Sequence, residues 1–183
     1  AKCMETALSM AKEDPNVYVP QQFENEANSA AHREQTAKEI LEQAGKPIHG
    51  FCSGIGTGGT ITGIGEALKA ANPDMEIWAI EPENAAILSG KEVGSHLQMG
   101  IGDGVIPAIL NQKIYDDIVI VTDEEAVKTA KELAAKEGLM CGISSGTNVA
   151  AALRLAKKLG PGKTVVTILA DTAERYFSTP LFD

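Results

Sequence analysis

The sequence predicts an α/β fold with a mostly parallel sheet flanked by helices. Three observations predict it. Short Val- and Ile-rich segments alternate with stretches whose apolar residues recur at helical spacing. The strand segments are continuous apolar runs, as in a sheet covered on both faces. Two Gly/Ser-rich turns each lie between an apolar segment and a helix, at the strand carboxyl ends where parallel sheets bind ligands.

The elements follow in chain order. Met4, Ala7, Leu8 and Ala11 mark one helical face, and Asp14-Pro15-Asn16 ends that helix. Val17-Tyr18-Val19 reads as a short strand before Pro20. Ala37, Ile40, Leu41 and Ala44 repeat the helical spacing up to Gly45. Ile48–Cys52 is a strand running into Ser53-Gly54-Ile55-Gly56-Thr57-Gly58-Gly59-Thr60. Ile61, Ile64, Leu68 and Ala71 mark the next helix, closed by Asn72-Pro73. Met75–Glu81 is a strand, and residues 82–117 are the least regular part. Asp117–Val121 is a strand, and Thr122 with Glu125 forms a capping box for a helix stopped by Gly138. Gly142-Ile143-Ser144-Ser145-Gly146 precedes a helix to Leu159, with Gly160-Pro161 as its stop. Thr164–Leu169 is the last strand. No internal repeat or low-complexity linker interrupts this order.

Composition narrows the function classes. The chain has 183 residues, the size of one domain or two small ones, and begins at Ala1 rather than Met. Sixteen basic residues stand against 25 acidic ones, a net charge of −9, which disfavours nucleic acid and anionic membrane as partners. No apolar run approaches the ~20 residues of a membrane span, and no signal peptide is visible. Cys3, Cys52 and Cys141 are odd in number and widely spaced, so neither a disulfide framework nor a metal site is expected. They read as buried small hydrophobes in a reducing cytoplasm.

The first glycine turn admits several readings. Gly54, Gly56 and Gly59 match GxGxxG after a strand, and Glu81 follows Gly59 by 22 residues, so an NAD-dependent oxidoreductase is one alternative. The hydroxyls of Ser53, Thr57, Thr60 and Thr62 flank the glycines. Hydroxyls and free N–H groups at a helix N-terminus make a pocket for a single phosphate. A Walker A loop fails, because Thr60-Ile61 stand where Lys-Ser/Thr is needed. Gly142–Gly146 matches the GxSxG nucleophile elbow of a hydrolase, but His32, His49 and His96 all precede Ser144, the wrong order for that triad. The bland alternative is that both are packing turns. A fourth reading is pyridoxal phosphate, with one turn gripping the phosphate and Ser144 meeting the pyridine nitrogen. A serine there leaves the ring a weaker electron sink than a carboxylate would, which suits β-elimination and β-replacement.

Together these segments resemble cysteine synthase (O-acetylserine sulfhydrylase), of the β-family of pyridoxal-phosphate enzymes. The resemblance rests on Gln21-Gln22-Phe23-Glu24-Asn25, Ser53–Gly63, Gly100-Ile101-Gly102, Gly142–Gly146, and Glu174-Arg175-Tyr176 with Ser178-Thr179, in the family's order. It implies the large domain of a fold type II pyridoxal-phosphate enzyme. It implies that Gly56, Thr57, Gly58, Gly59 and Thr60 bind the cofactor phosphate and that Ser144 contacts the ring nitrogen. Gln22 would bind the substrate carboxylate, and Gly100 and Ile101 would face the site. The implied reaction converts O-acetylserine and sulfide to L-cysteine and acetate in a cytoplasmic homodimer. Many members also bind the C-terminal tail of serine acetyltransferase.

The chain departs from the family pattern in several places. Asn25-Glu26-Ala27-Asn28 stands for Asn-Pro-Ala-Asn, and Thr36-Ala37-Lys38-Glu39 for Thr-Gly-Pro-Glu. Met99 takes the place of a common Gln, and Leu169-Ala170-Asp171 replaces a Leu-Pro segment beside the ring. The Schiff-base lysine and the Ser-Ser-Gly-Asn-Thr-Gly loop of the family's N-terminal part have no counterpart here, so no catalytic residue is assigned. The expectation is a C-terminal portion, inactive alone. Residues 1–25 would be the last helix and strand of a truncated small domain, and residues 26–183 an incomplete cofactor-binding domain. A non-catalytic lobe that binds pyridoxal phosphate or the acetyltransferase tail is the remaining alternative.

Overall fold

The computed structural model describes residues 2–183. Four strands form one parallel sheet: β1 (Gly50–Gly54), β2 (Glu76–Pro82), β3 (Asp117–Val121) and β4 (Val165–Thr167), in the order β3-β2-β1-β4. Helices cover both faces, as the apolar strands require. The side chains alternate along each strand. Phe51, Ile77 and Ala79 face a layer made by α3 (Ala37–Ala44) and α4 (Gly59–Ala71). Cys52, Trp78 and Ile80 face α5 (Asp123–Glu137) and α6 (Ile143–Leu159). The core is therefore two apolar layers divided by the sheet.

Helix α4 is the crossover between β1 and its neighbour β2, the connection a parallel pair needs. The segment between β2 and β3 is irregular apart from one short turn at Glu83–Ala85, as the sequence predicts. Helix α1 (Lys2–Glu13) carries Met4, exposed, on the face the spacing marked as apolar, and Met10, also exposed, off that face. Short helix α2 (Ala27–Ala31) runs through a π-type turn (His32–Thr36) into α3.

Several expectations are corrected. Val17–Val19 is not a strand: it pairs with no described residue, and Tyr18 stands out into solvent. The Thr122 hydroxyl accepts from Glu125 N at 3.2 Å, but the reciprocal half of the capping box gives way to an ion pair between Glu125 and Arg154. The last strand keeps only Val165–Thr167, because its pairing with β1 stops at Cys52↔Thr167. The apolar segment before the second turn, residues 139–141, does not join the sheet, so that turn does not follow a sheet strand; Cys141 makes a single antiparallel bridge to Thr172. The residues Ile143–Gly146 are the first turn of α6 itself, with Gly142 at its N-cap.

Of the cysteines, Cys52 and Cys141 are buried as expected, whereas Cys3 is exposed on α1. Burial pushes the Cys52 thiol up to about 12, against a smaller opposing effect from Thr167. A thiol with a raised pKa stays protonated and unreactive near neutral pH. At pH 8 an alkylating reagent is therefore expected to modify Cys3 in the native protein and Cys52 only after unfolding, as peptide mass mapping would read. Leu155 is wholly buried between α6 and the sheet. Leu155→Ala should lower stability by about 2–5 kcal/mol, measured by urea denaturation.

Candidate functional site

The site begins where the sheet stops. Beyond Cys52↔Thr167 the β1 and β4 strands part, and Asn148 of α6 reaches into the gap. Its Oδ1 accepts from Gly54 N at 2.8 Å, and its Nδ2 donates to Ile168 O at 2.8 Å. A cleft of about 290 Å³ opens there. It is lined by Ser53, Gly54, Gly56, Thr57, Gly58 and Thr60 on one side, Met99-Gly100-Ile101 on another, and Ser144, Asn148, Ile168, Ala170 and Asp171 on the third.

The glycine turn after β1 is shaped by close approach. A Cβ at Gly56 would lie 2.3 Å from the carbonyl oxygen of Gly100, so any side chain would force the two loops apart. Gly58 sits at φ 79, in the left-handed region that glycine adopts freely, and caps α4. The first N–H groups of α4 have no helical carbonyl partner. Thr57 and Thr60 stand half-buried beside them. Asn28 of α2 donates to the Thr57 hydroxyl at 3.0 Å and to Gln22 O at 2.9 Å. His32 lies 3.2 Å from the Thr60 hydroxyl, and burial lowers its pKa. Helices α2 and the π-type turn thus hold both threonine hydroxyls from behind.

The opposite wall is the first turn of α6. Ser144 is buried there with its side chain on the cleft. Ser145 accepts from Ala170 N at 3.0 Å, and Gly142 N donates to Asp171 O at 3.1 Å, which fixes the chain after β4 against this turn. The N-termini of α4 and α6 therefore meet at one cleft, and their partial positive charge favours an anionic ligand.

The roof is the loop of residues 97–102. Gln98, wholly buried, donates to Val121 O at 3.0 Å and Asp123 Oδ1 at 2.9 Å, and accepts from the Thr147 hydroxyl at 2.8 Å. Gly102 N donates to Ile55 O at 2.9 Å, joining this loop to the glycine turn.

The structure brings Gly56, Thr57, Gly58, Thr60, Ser144, Gly100 and Ile101 to one cleft. Gly59 lies behind it, packed so tightly on Asn28 that a Cβ would come within 2.1 Å of Asn28 Oδ1. Gln22 does not line the cleft. Its side chain is exposed, and only its carbonyl is tied in through Asn28. The sequence reading missed Asn148, Asn28 and Gln98. Asn148 had a usable signal: it follows Ser144 by four residues, so it shares the same helical face.

Two rival readings lose their chemistry. The Glu81 carboxylate is buried and accepts from Leu88 N, Ser89 N and the Ser89 hydroxyl, so it is not free to hold a ribose. Among the described residues no histidine lines the cleft beside Ser144, which leaves the hydrolase reading without a base.

A phosphate-sized anion site at two helix N-termini, walled by threonine and serine hydroxyls, agrees with the family comparison. Residues 1–171 match the family described as pyridoxal-phosphate dependent enzymes. The chain belongs to that family. It is 48% identical over 179 residues to a probable cysteine synthase of Bacillus subtilis, covering 96% of this chain and 58% of the relative. Its fold superposes with a TM-score of 0.93 on the O-acetylserine dependent cystathionine β-synthase of Helicobacter pylori, at 37% identity, over 98% of this chain and 58% of that one. The cysteine synthase of Entamoeba histolytica gives 0.90 at 39% identity, over 98% and 53%. The chain thus spans little more than half the length of these proteins. The fold of this family member is the α/β class, a parallel sheet flanked by helices, that the sequence predicts.

Asn148→Ala would take the partner from a half-buried donor at Gly54 and a half-buried acceptor at Ile168. Each such group costs about 1–3 kcal/mol, so urea denaturation should show a loss in that range or above. Asn148→Asp keeps the acceptor for Gly54 N but sets a buried carboxylate oxygen against Ile168 O, and should lose at least as much at neutral pH.

Proposed function

We propose that this chain is the cofactor-binding part of a cysteine synthase. The observation that carries the proposal is the convergence of the Gly56–Thr60 turn and Ser144 on one cleft at two helix N-termini. The residues fit pyridoxal phosphate. Thr57 and Thr60, with the free N–H groups of α4, offer donors to a phosphate, and the glycine at position 56 leaves room for it. Gly58 shapes that turn, and Gly59 lets the cradle pack on Asn28. Ser144 stands opposite, where it would meet the ring nitrogen. Gly100 and Ile101 close the side of the cleft and narrow the access of water. Gln22 would act on substrate only after a change in its exposed position.

When bound, the cofactor supplies an electron sink that lets the β-substituent of an activated serine depart. In the full protein the reaction would take O-acetylserine and sulfide to L-cysteine and acetate, in a cytoplasmic homodimer. Residues 1–25 would belong to the edge of a smaller domain and residues 26–183 to the larger one. The exposed methionines of α1 support a packing partner for that segment. Among the described residues no helix is long and apolar enough to cross a membrane.

A second reading has its own observation. Among the described residues no lysine lines the cleft, which supports a chain that binds the cofactor without turnover. A peptide from a serine acetyltransferase tail is a further ligand for this same cleft.

Pyridoxal phosphate should bind saturably to the chain, and inorganic phosphate should compete. Thr60→Val should weaken binding by about ten-fold or more, the loss of one hydrogen bond to a charged group, read by calorimetry. Borohydride added to the complex should fix no lysine in the cleft, read by peptide mapping. NAD at millimolar concentration should leave Tm unchanged, since only a ligand of the folded state raises it.

A further inference from the structure

Two threonine hydroxyls line the phosphate side of the cleft, at Thr57 and Thr60. Each hydroxyl carries a single proton. If that proton is given to the protein behind the wall, only lone pairs face the cleft, and lone pairs repel a phosphate. The partners behind each threonine decide which way its proton points.

Asn28 stands behind Thr57. Its amide nitrogen donates to Gln22 O at 2.9 Å and to Thr57 Oγ1 at 3.0 Å. A carbonyl oxygen only accepts, so the bond to Gln22 O settles which end of the amide is the nitrogen. The Thr57 oxygen therefore accepts, and it also accepts from Gly59 N at 3.4 Å. Its own proton is left for the cleft.

His32 stands behind Thr60. Its Nε2 lies 3.2 Å from Thr60 Oγ1, and its Nδ1 lies 3.1 Å from Thr36 Oγ1. The ring comes this close because Gly63, one turn further along the same face of α4, has no side chain. A Cβ there would lie 2.1 Å from Ser29 O and 2.8 Å from His32 Cβ. His32 and Thr36 are the two ends of the π-type turn, an uncommon geometry that recurs at functional sites. Burial lowers the His32 pKa, so the ring is neutral at pH 7 and holds one proton. A neutral imidazole donates from one nitrogen and accepts at the other. The two threonines therefore take opposite roles: one donates to the ring and the other accepts from it. Thr36 does not line the cleft, so its proton is free to go to Nδ1.

We propose that Asn28 and His32 are positioning residues that donate to the Thr57 and Thr60 oxygens from behind, His32 through Nε2–H, so that both threonine protons point into the cleft at an anion. This rests on reading the cleft as a pyridoxal-phosphate site. The wall then presents donors only, the first N–H groups of α4 and two hydroxyls, which suits a phosphate that has lost its protons. The other tautomer of His32, with its proton on Nδ1, would draw the Thr60 proton back into the protein.

The test uses the chain with ¹⁵N-labelled histidine and 4′-deoxypyridoxine 5′-phosphate, a probe that needs no lysine to bind. Long-range ¹H–¹⁵N spectra read which ring nitrogen of His32 carries the proton. In the complex at neutral pH the proton should sit on Nε2, with Nδ1 bare. A bare Nε2 in a saturated complex overturns the proposal, and this measurement needs no variant to fold. By calorimetry, His32→Leu should weaken probe binding by about three- to ten-fold, the worth of one hydrogen bond. It should cost almost nothing further in a Thr60→Val background, because its effect runs through that hydroxyl. His32→Gln, whose amide nitrogen can stand in for Nε2, should recover most of the affinity. A His32→Leu chain that binds like wild type overturns the proposal, and so does a loss that repeats in full in the Thr60→Val background. Absence of saturable binding to the wild-type chain overturns the reading of the cleft itself, and the proposal with it.

Discussion

The Asn148 amide, held between two diverging strands, is the contact on which the site depends. β1 and β4 pair up to Cys52↔Thr167 and then separate. Strands that separate leave backbone donors and acceptors without partners, and in a buried place each such group is costly. Asn148 supplies an acceptor to one strand and a donor to the other, so the strands can part without that cost. The gap between them is the cleft.

Several features follow from that opening. The β1 chain turns into α4 and the β4 chain folds back along residues 140–142. The N-termini of α4 and α6 are thereby aimed at the same space. The loop of residues 97–102 can then close over it only at backbone contact distance, which fixes glycine at position 56. Gln98 holds that loop to both the start of α5 and the body of α6. A buried polar network of this kind is favourable because every member is satisfied. Asp171 Oδ1 is the exception among the described buried side chains, and Asp171 lines the same cleft as Ser144.

Much of the fold was legible in the sequence because it rests on local signals. The apolar runs of β1, β2 and β3, the spacing in α3 and α4, and the stop at Gly138 each state their structure within a few residues. Val17–Val19 misled because extended apolar residues become a strand only when another strand pairs with them. The capping box at Thr122 was half right, because Arg154, far along the chain, claimed the Glu125 carboxylate. The turn at Gly142–Gly146 looked like a strand-to-helix elbow and proved to be the start of a helix. Its true neighbours come from residues 168–176, and no local pattern contains them.

The α/β class, the position of both glycine-bearing turns and the resemblance to pyridoxal-phosphate enzymes are written in the chain's local pattern. These depend on periodicity, turn chemistry and motif order, all of which are local. Which residues share the cleft was settled by packing between distant segments. It set Gly59 and the side chain of Gln22 outside, brought Asn148 in, occupied Glu81 with three donors, and packed the Asp171–Tyr176 pair against Gly142 at the start of α6. The physical reason is that hydrogen-bond partners and close approaches between distant segments are fixed by packing, and packing is a property of the whole chain rather than of any stretch of it.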